Sequence, residues 1–142
     1  MSRKSKGIAA EREIFHKFWQ AGWAAIRVAG SGSTSMPSAD ILCGNAIRRL
    51  AIECKTVKDD RKYIPQEDMK SFIDFARKFG AEPWIAIKFS HRGWFFINPE
   101  DMKVTNASHG IDFASAQNKG LSFEELIGDS KKLGQEKEPS RS

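Results

Sequence analysis

The run Leu50-Ala51-Ile52-Glu53-Cys54-Lys55-Thr56-Val57 constrains this chain more than any other stretch. It is rich in apolar and β-branched residues, free of Gly and Pro, and predicts a β-strand. Side chains alternate along a strand, so Glu53 and Lys55 share one face while Ile52 and Cys54 take the other. An acid and an amine side by side on a strand otherwise fit for burial need a partner. For Glu-x-Lys alone, an ion pair at a sheet edge is a sufficient explanation.

A second feature lies upstream. Asp40 heads another apolar run, Asp40-Ile41-Leu42-Cys43, which ends at Gly44-Asn45. Strand, tight turn and strand is the natural reading. A hairpin of that length brings Asp40 beside Glu53 and Lys55. Two carboxylates and an ammonium at one spot suit a hard divalent cation such as Mg2+, which takes oxygen ligands and usually only one or two carboxylates. Such an ion polarises a phosphate and acidifies a bound water. An adjacent lysine can orient that water or stabilise charge developing on the phosphate.

The flanking elements follow from periodicity and punctuation. A helix is predicted over residues 8–20, closed by Gly22, with Ile8, Phe15, Phe18 and Trp19 as its apolar stripe. Glu11 falls within that stripe, where a carboxylate needs a hydrogen-bonding or metal partner. A strand over 23–29 carries Arg27 on the same face as Trp23 and Ala25. Residues 30–39 form a Gly/Ser loop leading into Asp40, whose hydroxyls, Ser33 included, suit contact with a phosphate backbone. Residues 58–63 read as a charged loop containing Lys58, Arg61 and Lys62. A second helix is expected from Pro65 to just before Gly80. Met69, Phe72, Ile73 and Ala76 line one face, and Phe75 and Phe79 widen it beyond what one sheet contact requires. Two further strands, 84–89 and 94–97, form a hairpin. Residues 106–120 read as irregular. Ser122 and Glu125 form a capping-box pattern for one short helix over 122–127, and the charged stretch from 129 onward reads as disordered.

The chain has 142 residues and a formal net charge of +5, enough for one packed core and favourable to an anionic partner, nucleic acid first. The basic segment Arg3, Lys4 and Lys6 adds candidate phosphate contacts. No apolar run approaches the roughly 20 residues of a membrane span. Cys43 and Cys54 form no disulfide framework and read as buried thiols in a reducing compartment, so a cytoplasmic setting is expected, nucleoid-associated if the anionic partner is DNA. There is no zinc-type Cys/His spacing and no Gly-rich phosphate loop. The expected domain plan is a basic arm over 1–6, a core over 7–98, an extension over 99–128 and a tail over 129–142.

Pro37-x-x-Asp40 followed by Glu53-Cys54-Lys55 resembles the signature of the restriction-endonuclease-like nucleases, with the Pro displaced upstream of its usual place. The likeness is closer to the archaeal Holliday junction resolvases. Lys6-Gly7-x-x-Ala10-Glu11-Arg12-Glu13, Ala25-x-Arg27-x-Ala29, Gly30-Ser31-Gly32-Ser33, Phe75-Ala76-Arg77-Lys78-Phe79-Gly80 and Lys88-Phe89 also carry it. The resemblance implies an α/β fold, a central mixed five-stranded sheet flanked by helices with an α-β-β-β-α-β-β core. It implies a homodimeric endodeoxyribonuclease that resolves four-way DNA junctions by paired, Mg2+-dependent hydrolysis in recombination and repair, with Mn2+ able to substitute. By matching position, Glu11, Asp40, Glu53 and the Cys54 carbonyl would hold the metal. Lys55 would serve the attacking water and Ser31 would assist catalysis. Arg12 and Arg27 would contact DNA, and Phe72, Phe75 and Phe79 would line the dimer interface. Two alternatives stay open: a nuclease of the same fold acting on duplex or nicked DNA, and a non-catalytic junction-binding protein.

Overall fold

The computed structural model describes residues 3–30 and 36–128, with side chains from residue 5 onward. The candidate residues Ser31 and Ser33, the side chains of Arg3 and Lys4, and the tail over 129–142 lie outside the described residues.

Helix α1 spans Arg3–Gln20, so the basic segment expected as an arm continues the helix. Lys and Arg are good helix formers, and nothing before Gly7 interrupts them. The helix closes where Gly22 adopts φ 87° and the Trp23 amide donates to the Phe18 carbonyl at 2.9 Å. Its buried residues are Ala10, Ile14 and Phe18, at a strict spacing of four. Trp19, expected in the stripe, is half exposed instead, and its indole N–H donates to the Ala25 carbonyl at 3.0 Å.

Strands β1 (Ala24–Arg27), β2 (Ile41–Gly44), β3 (Arg49–Val57), β5 (Glu82–Phe89) and β6 (Gly93–Ile97) form a sheet of order β1-β2-β3-β5-β6. All neighbours are antiparallel except β3 and β5, which run parallel from Leu50 opposite Glu82 to Val57 opposite Phe89. The expected mixed five-stranded sheet is thus present. In the β2–β3 turn, Asn45 Oδ1 accepts from the Ile47 and Arg48 amides at 2.9 and 2.7 Å, making the turn longer than a Gly-Asn dipeptide. Helix α2 (Gln66–Phe79) begins after Pro65 and ends on Gly80 in the left-handed conformation, as expected.

The two sheet faces bury two layers. Ile14 and Phe18 of α1 pack with Trp23, Ala25, Ile41, Leu50 and Ile52 on one face. Met69, Phe72 and Ala76 of α2 pack with Ala51, Val57, Ile85 and Ile87 on the other.

Two expectations fail. Within the expected loop over 58–63 begins strand β4 (Arg61–Pro65), and the stretch 106–120 is mostly regular. Strand β7 (Lys103–Val104), strand β8 (Ser108–Asp112) and helix α3 (Phe113–Lys119) occupy residues 103–119, and β4, β8 and β7 form a second, three-stranded sheet. Local alternation is weak there: β4 buries only Ile64 and β8 only Gly110 and Ile111. Their backbone groups are satisfied by pairing across some fifty residues, as in Tyr63 opposite Gly110. Gly110 is required there, because a Cβ would stand 2.9 Å from the Tyr63 ring. The final helix α4 (Phe123–Leu126) carries the expected Ser122/Glu125 capping box. Met102, Ile111 and Ala116 join the α2 layer and Leu126 the α1 layer, so residues beyond 98 complete the same core.

Arg48 ties this last segment to the sheet. Its Nε and Nη2 donate to the Glu82 carboxylate at 2.8 Å each, its Nη1 donates to the Leu126 carbonyl at 2.6 Å, and it lies over the Trp23 ring. Arg48→Ala should lower the urea unfolding free energy by roughly 2 kcal/mol, because a bidentate charged pair and a helix-end carbonyl lose their partner together. Arg48→Lys should recover less than half of the loss, since an ammonium cannot reproduce the fork.

Candidate active site

The β2–β3 hairpin sets the site. Ile41 stands opposite Ile52, which puts Asp40 at the mouth of the hairpin beside Glu53. The Asp40 amide donates to the Ile52 carbonyl at 3.0 Å, and Asp40 Oδ2 accepts from the Cys54 amide at 2.9 Å. The carboxylate therefore replaces a strand partner where the two strands part. Asp40 is the one buried charged residue among the described residues, at 9% exposure.

Glu53 and Lys55 point to the face of Ala51 and Val57, as alternation requires, and Lys55 Nζ lies 3.4 Å from Glu53 Oε2. Burial, and then the nearby Asp40 carboxylate, push the Glu53 carboxyl up to about 7, with Lys55 opposing. Glu11 reaches the same neighbourhood from α1, on the other side of the sheet. Its Oε1 accepts from Arg27 Nη2 at 3.2 Å. Burial and Asp40 raise its carboxyl too, against the pull of Arg27 and Lys55. Three carboxyls and two cations thus lie within electrostatic reach of one another. Burial keeps the Cys54 thiol neutral by raising it well above its usual range, so it is an inert neighbour.

The structure brings together Glu11, Arg27, Asp40, Glu53 and Lys55. Arg27 faces α1 rather than solvent and spends one nitrogen on Glu11, while its buried Nε has no partner. Lys6, Arg12, Lys58 and Arg61 are exposed, and Lys62 is half-buried. Phe72, expected at a dimer interface, is 3% exposed and packs within this chain's own core. Phe79 is half exposed and stacks on Phe75, with centroids 5.7 Å apart.

The donor set suits a cation, though not as a closed cage. Among the described residues no group of three or more His, Cys, Asp or Glu is arranged to hold a metal ion. Asp40 and Glu53 form a like-charged pair whose mutual repulsion a divalent cation would relieve, and Mg2+ asks for no more than two carboxylates. Sequence reasoning passed over Glu13, on α1 two residues from Glu11. Its carboxylate accepts from Lys88 Nζ at 2.8 Å and from Trp94 Nε1 at 2.9 Å. Lys88 and Trp94 stand opposite each other on β5 and β6, a pairing visible only in the folded register.

The family model of the archaeal Holliday junction resolvase Hjc matches residues 2–135. The crossover junction endodeoxyribonuclease Hjc of Archaeoglobus fulgidus is 39% identical over 125 residues, covering 88% of this chain and 91% of that protein. That of Methanocaldococcus jannaschii is 34% identical over 128 residues, covering 90% and 91%. The 1.6 Å structure of the A. fulgidus Hjc, a Holliday junction resolvase, superposes with a TM-score of 0.78 at 37% identity, covering 84% of this chain and 96% of that one. By sequence along nearly its whole length and by fold, the chain belongs to the archaeal Hjc family of Holliday junction resolvases, crossover junction endodeoxyribonucleases of restriction-endonuclease-like fold.

Proposed function

We propose that this chain, as a homodimer, resolves four-way DNA junctions by Mg2+-dependent hydrolysis of one phosphodiester in each of two symmetry-related strands. Membership of the family supports the substrate. The convergence of Asp40, Glu53 and Lys55 at one hairpin mouth carries the chemistry.

Asp40 and Glu53, with the Cys54 carbonyl, would hold the metal, and Glu11 is the third carboxylate of the set. When bound, the ion polarises the scissile phosphate and acidifies a water. The remaining work falls to side chains. Asp40 is fixed by the Cys54 amide, so it needs no reorganisation at the moment of reaction. Lys55, beside Glu53, is placed to orient the attacking water and to offset charge growing on the phosphate. The exposed Arg12 and Lys6 supply cationic contacts for the backbone around it. Recognition through phosphates and branched shape makes affinity fall steeply with salt. The exposed Phe79, stacked on Phe75, is the natural contact with a second copy, and two-fold symmetry matches the two equivalent strands of a junction.

A labelled four-way junction and a linear duplex of the same sequence, each incubated with Mg2+ or with chelator, test this. Paired cuts on the junction alone, absent with chelator, are expected; equal cutting of the duplex would reduce the activity to that of a general nuclease. Asp40→Asn should slow cleavage by at least about 100-fold with junction affinity nearly unchanged, since it removes a metal ligand and no positive charge. Asn keeps an oxygen for the Cys54 amide, so folding should survive.

Because the Glu53 carboxyl is raised to about 7, the metal-free folded state holds a proton that the unfolded chain has already released. Stability of the metal-free protein should therefore fall as pH rises from the ordinary glutamate range through about 7. Uptake of Mg2+ near pH 7 should release part of a proton, and cleavage should decline as pH falls below that value. Calorimetry in two buffers of different ionisation enthalpy measures the proton release, and Glu53→Gln should abolish it. Finally, Phe79→Asp should shift sedimentation to the monomer and eliminate paired cutting, while leaving the fold intact because the side chain is half exposed.

A further inference from the structure

Helix α1 lies across the sheet with its buried stripe, Ala10, Ile14 and Phe18, facing the core. Two carboxylates leave it on opposite flanks of that stripe. Residues two apart stand about 200° apart around a helix, so Glu11 and Glu13 diverge. Glu11 turns toward β1 and meets Arg27 at 3.2 Å. Glu13 turns toward β5 and β6 and meets Lys88 and Trp94 at 2.8 and 2.9 Å. The helix is braced from both sides, and rolling it would carry Glu11 away from Asp40 and Lys55. Apolar contacts at Ile14 and Phe18 hold the helix down, but being non-directional they set its roll only loosely. The two hydrogen bonds of Glu13 are directional. One of its donors is charged, and the other is an indole that the β5–β6 hairpin holds opposite Lys88. Lys88 also lies over the Trp94 ring, 5.7 Å from its centroid, so the three side chains form one closed unit.

We propose that Glu13 is a positioning residue for DNA cleavage: by accepting from Lys88 and Trp94 it sets the roll of α1 and thereby presents Glu11 to the Asp40–Glu53–Lys55 site. The inference rests on the role given to Glu11 above. In this role Glu13 acts through the helix, by way of its bonds to Lys88 and Trp94.

The test is a double-mutant cycle, read as single-turnover cleavage of a four-way junction with Mg2+. Glu13→Ala should slow cleavage by about tenfold, since small misplacements at a reacting centre cost that much or more. Glu13→Gln, which keeps one acceptor oxygen and turns an amide N–H2 toward the other donor, should slow cleavage by less than Glu13→Ala does. Should Glu13→Ala fail to fold, Trp94→Phe, which removes one donor only, is expected to give an intermediate rate. In a Glu11→Gln background, Glu13→Ala should produce no further loss, because the group it positions is already gone. In the metal-free protein the Arg27 Nε–H NMR signal should shift in Glu13→Ala and shift less in Glu13→Gln. Additive losses in the double variant, or an unmoved Arg27 signal, would overturn the positioning role. A Glu11→Gln protein that cuts as fast as the parent would instead overturn the function given to Glu11. A slow Glu11→Gln beside a fully active Glu13→Ala would remove Glu13 alone.

Discussion

The hydrogen bond from the Cys54 amide to the Asp40 carboxylate is the contact on which the site depends. It forms where β2 and β3 separate, and it does two things at once. It satisfies a backbone donor that would otherwise lose its strand partner, and it pins a carboxylate next to Glu53. The resulting like-charge pair is costly, burial adds to that cost, and Lys55 beside Glu53 offsets part of it. A like-charged pair of this kind suits a site completed by a cation from solution.

The sheet supplies the rigidity that such a pair needs. Strand β3 has β2 on one side and β5 on the other, with a helix covering each face. Asp40 is held buried by this frame, while the Glu53 side chain keeps partial exposure to solvent. Glu11 arrives from the other layer, and this is why its placement depends on a helix rather than on strand register.

Much of this was legible in the sequence because it is local or periodic. The alternation of Ile52, Glu53, Cys54 and Lys55 predicted which side chains share a face, and a short hairpin was enough to bring Asp40 to them. Pro65 and Gly80 marked the ends of α2, and Ser122 with Glu125 marked α4. What escaped was long-range. Strands β4 and β8 bury too few apolar residues to show a period, and only their mutual pairing makes them strands. An over-wide apolar face on α2 was visible, but not which of its aromatics turned inward; the sheet layer claims Phe72 and leaves Phe79 outside. Likewise Trp19 fits a helical stripe by spacing, yet the actual stripe runs through Ala10 and Ile14, and the indole goes to the Ala25 carbonyl.

The pairing of β4 with β8 has a consequence for how the chain is made. Strand β3 is complete at Val57, but β4, which follows it at once, has no partner until Asp112 has been synthesised. On the ribosome the site-bearing hairpin therefore emerges well before the strand that anchors its outgoing end. The edge of β4 carries Arg61 and Lys62, and charged side chains on an open edge discourage the edges of neighbouring nascent chains from pairing with it.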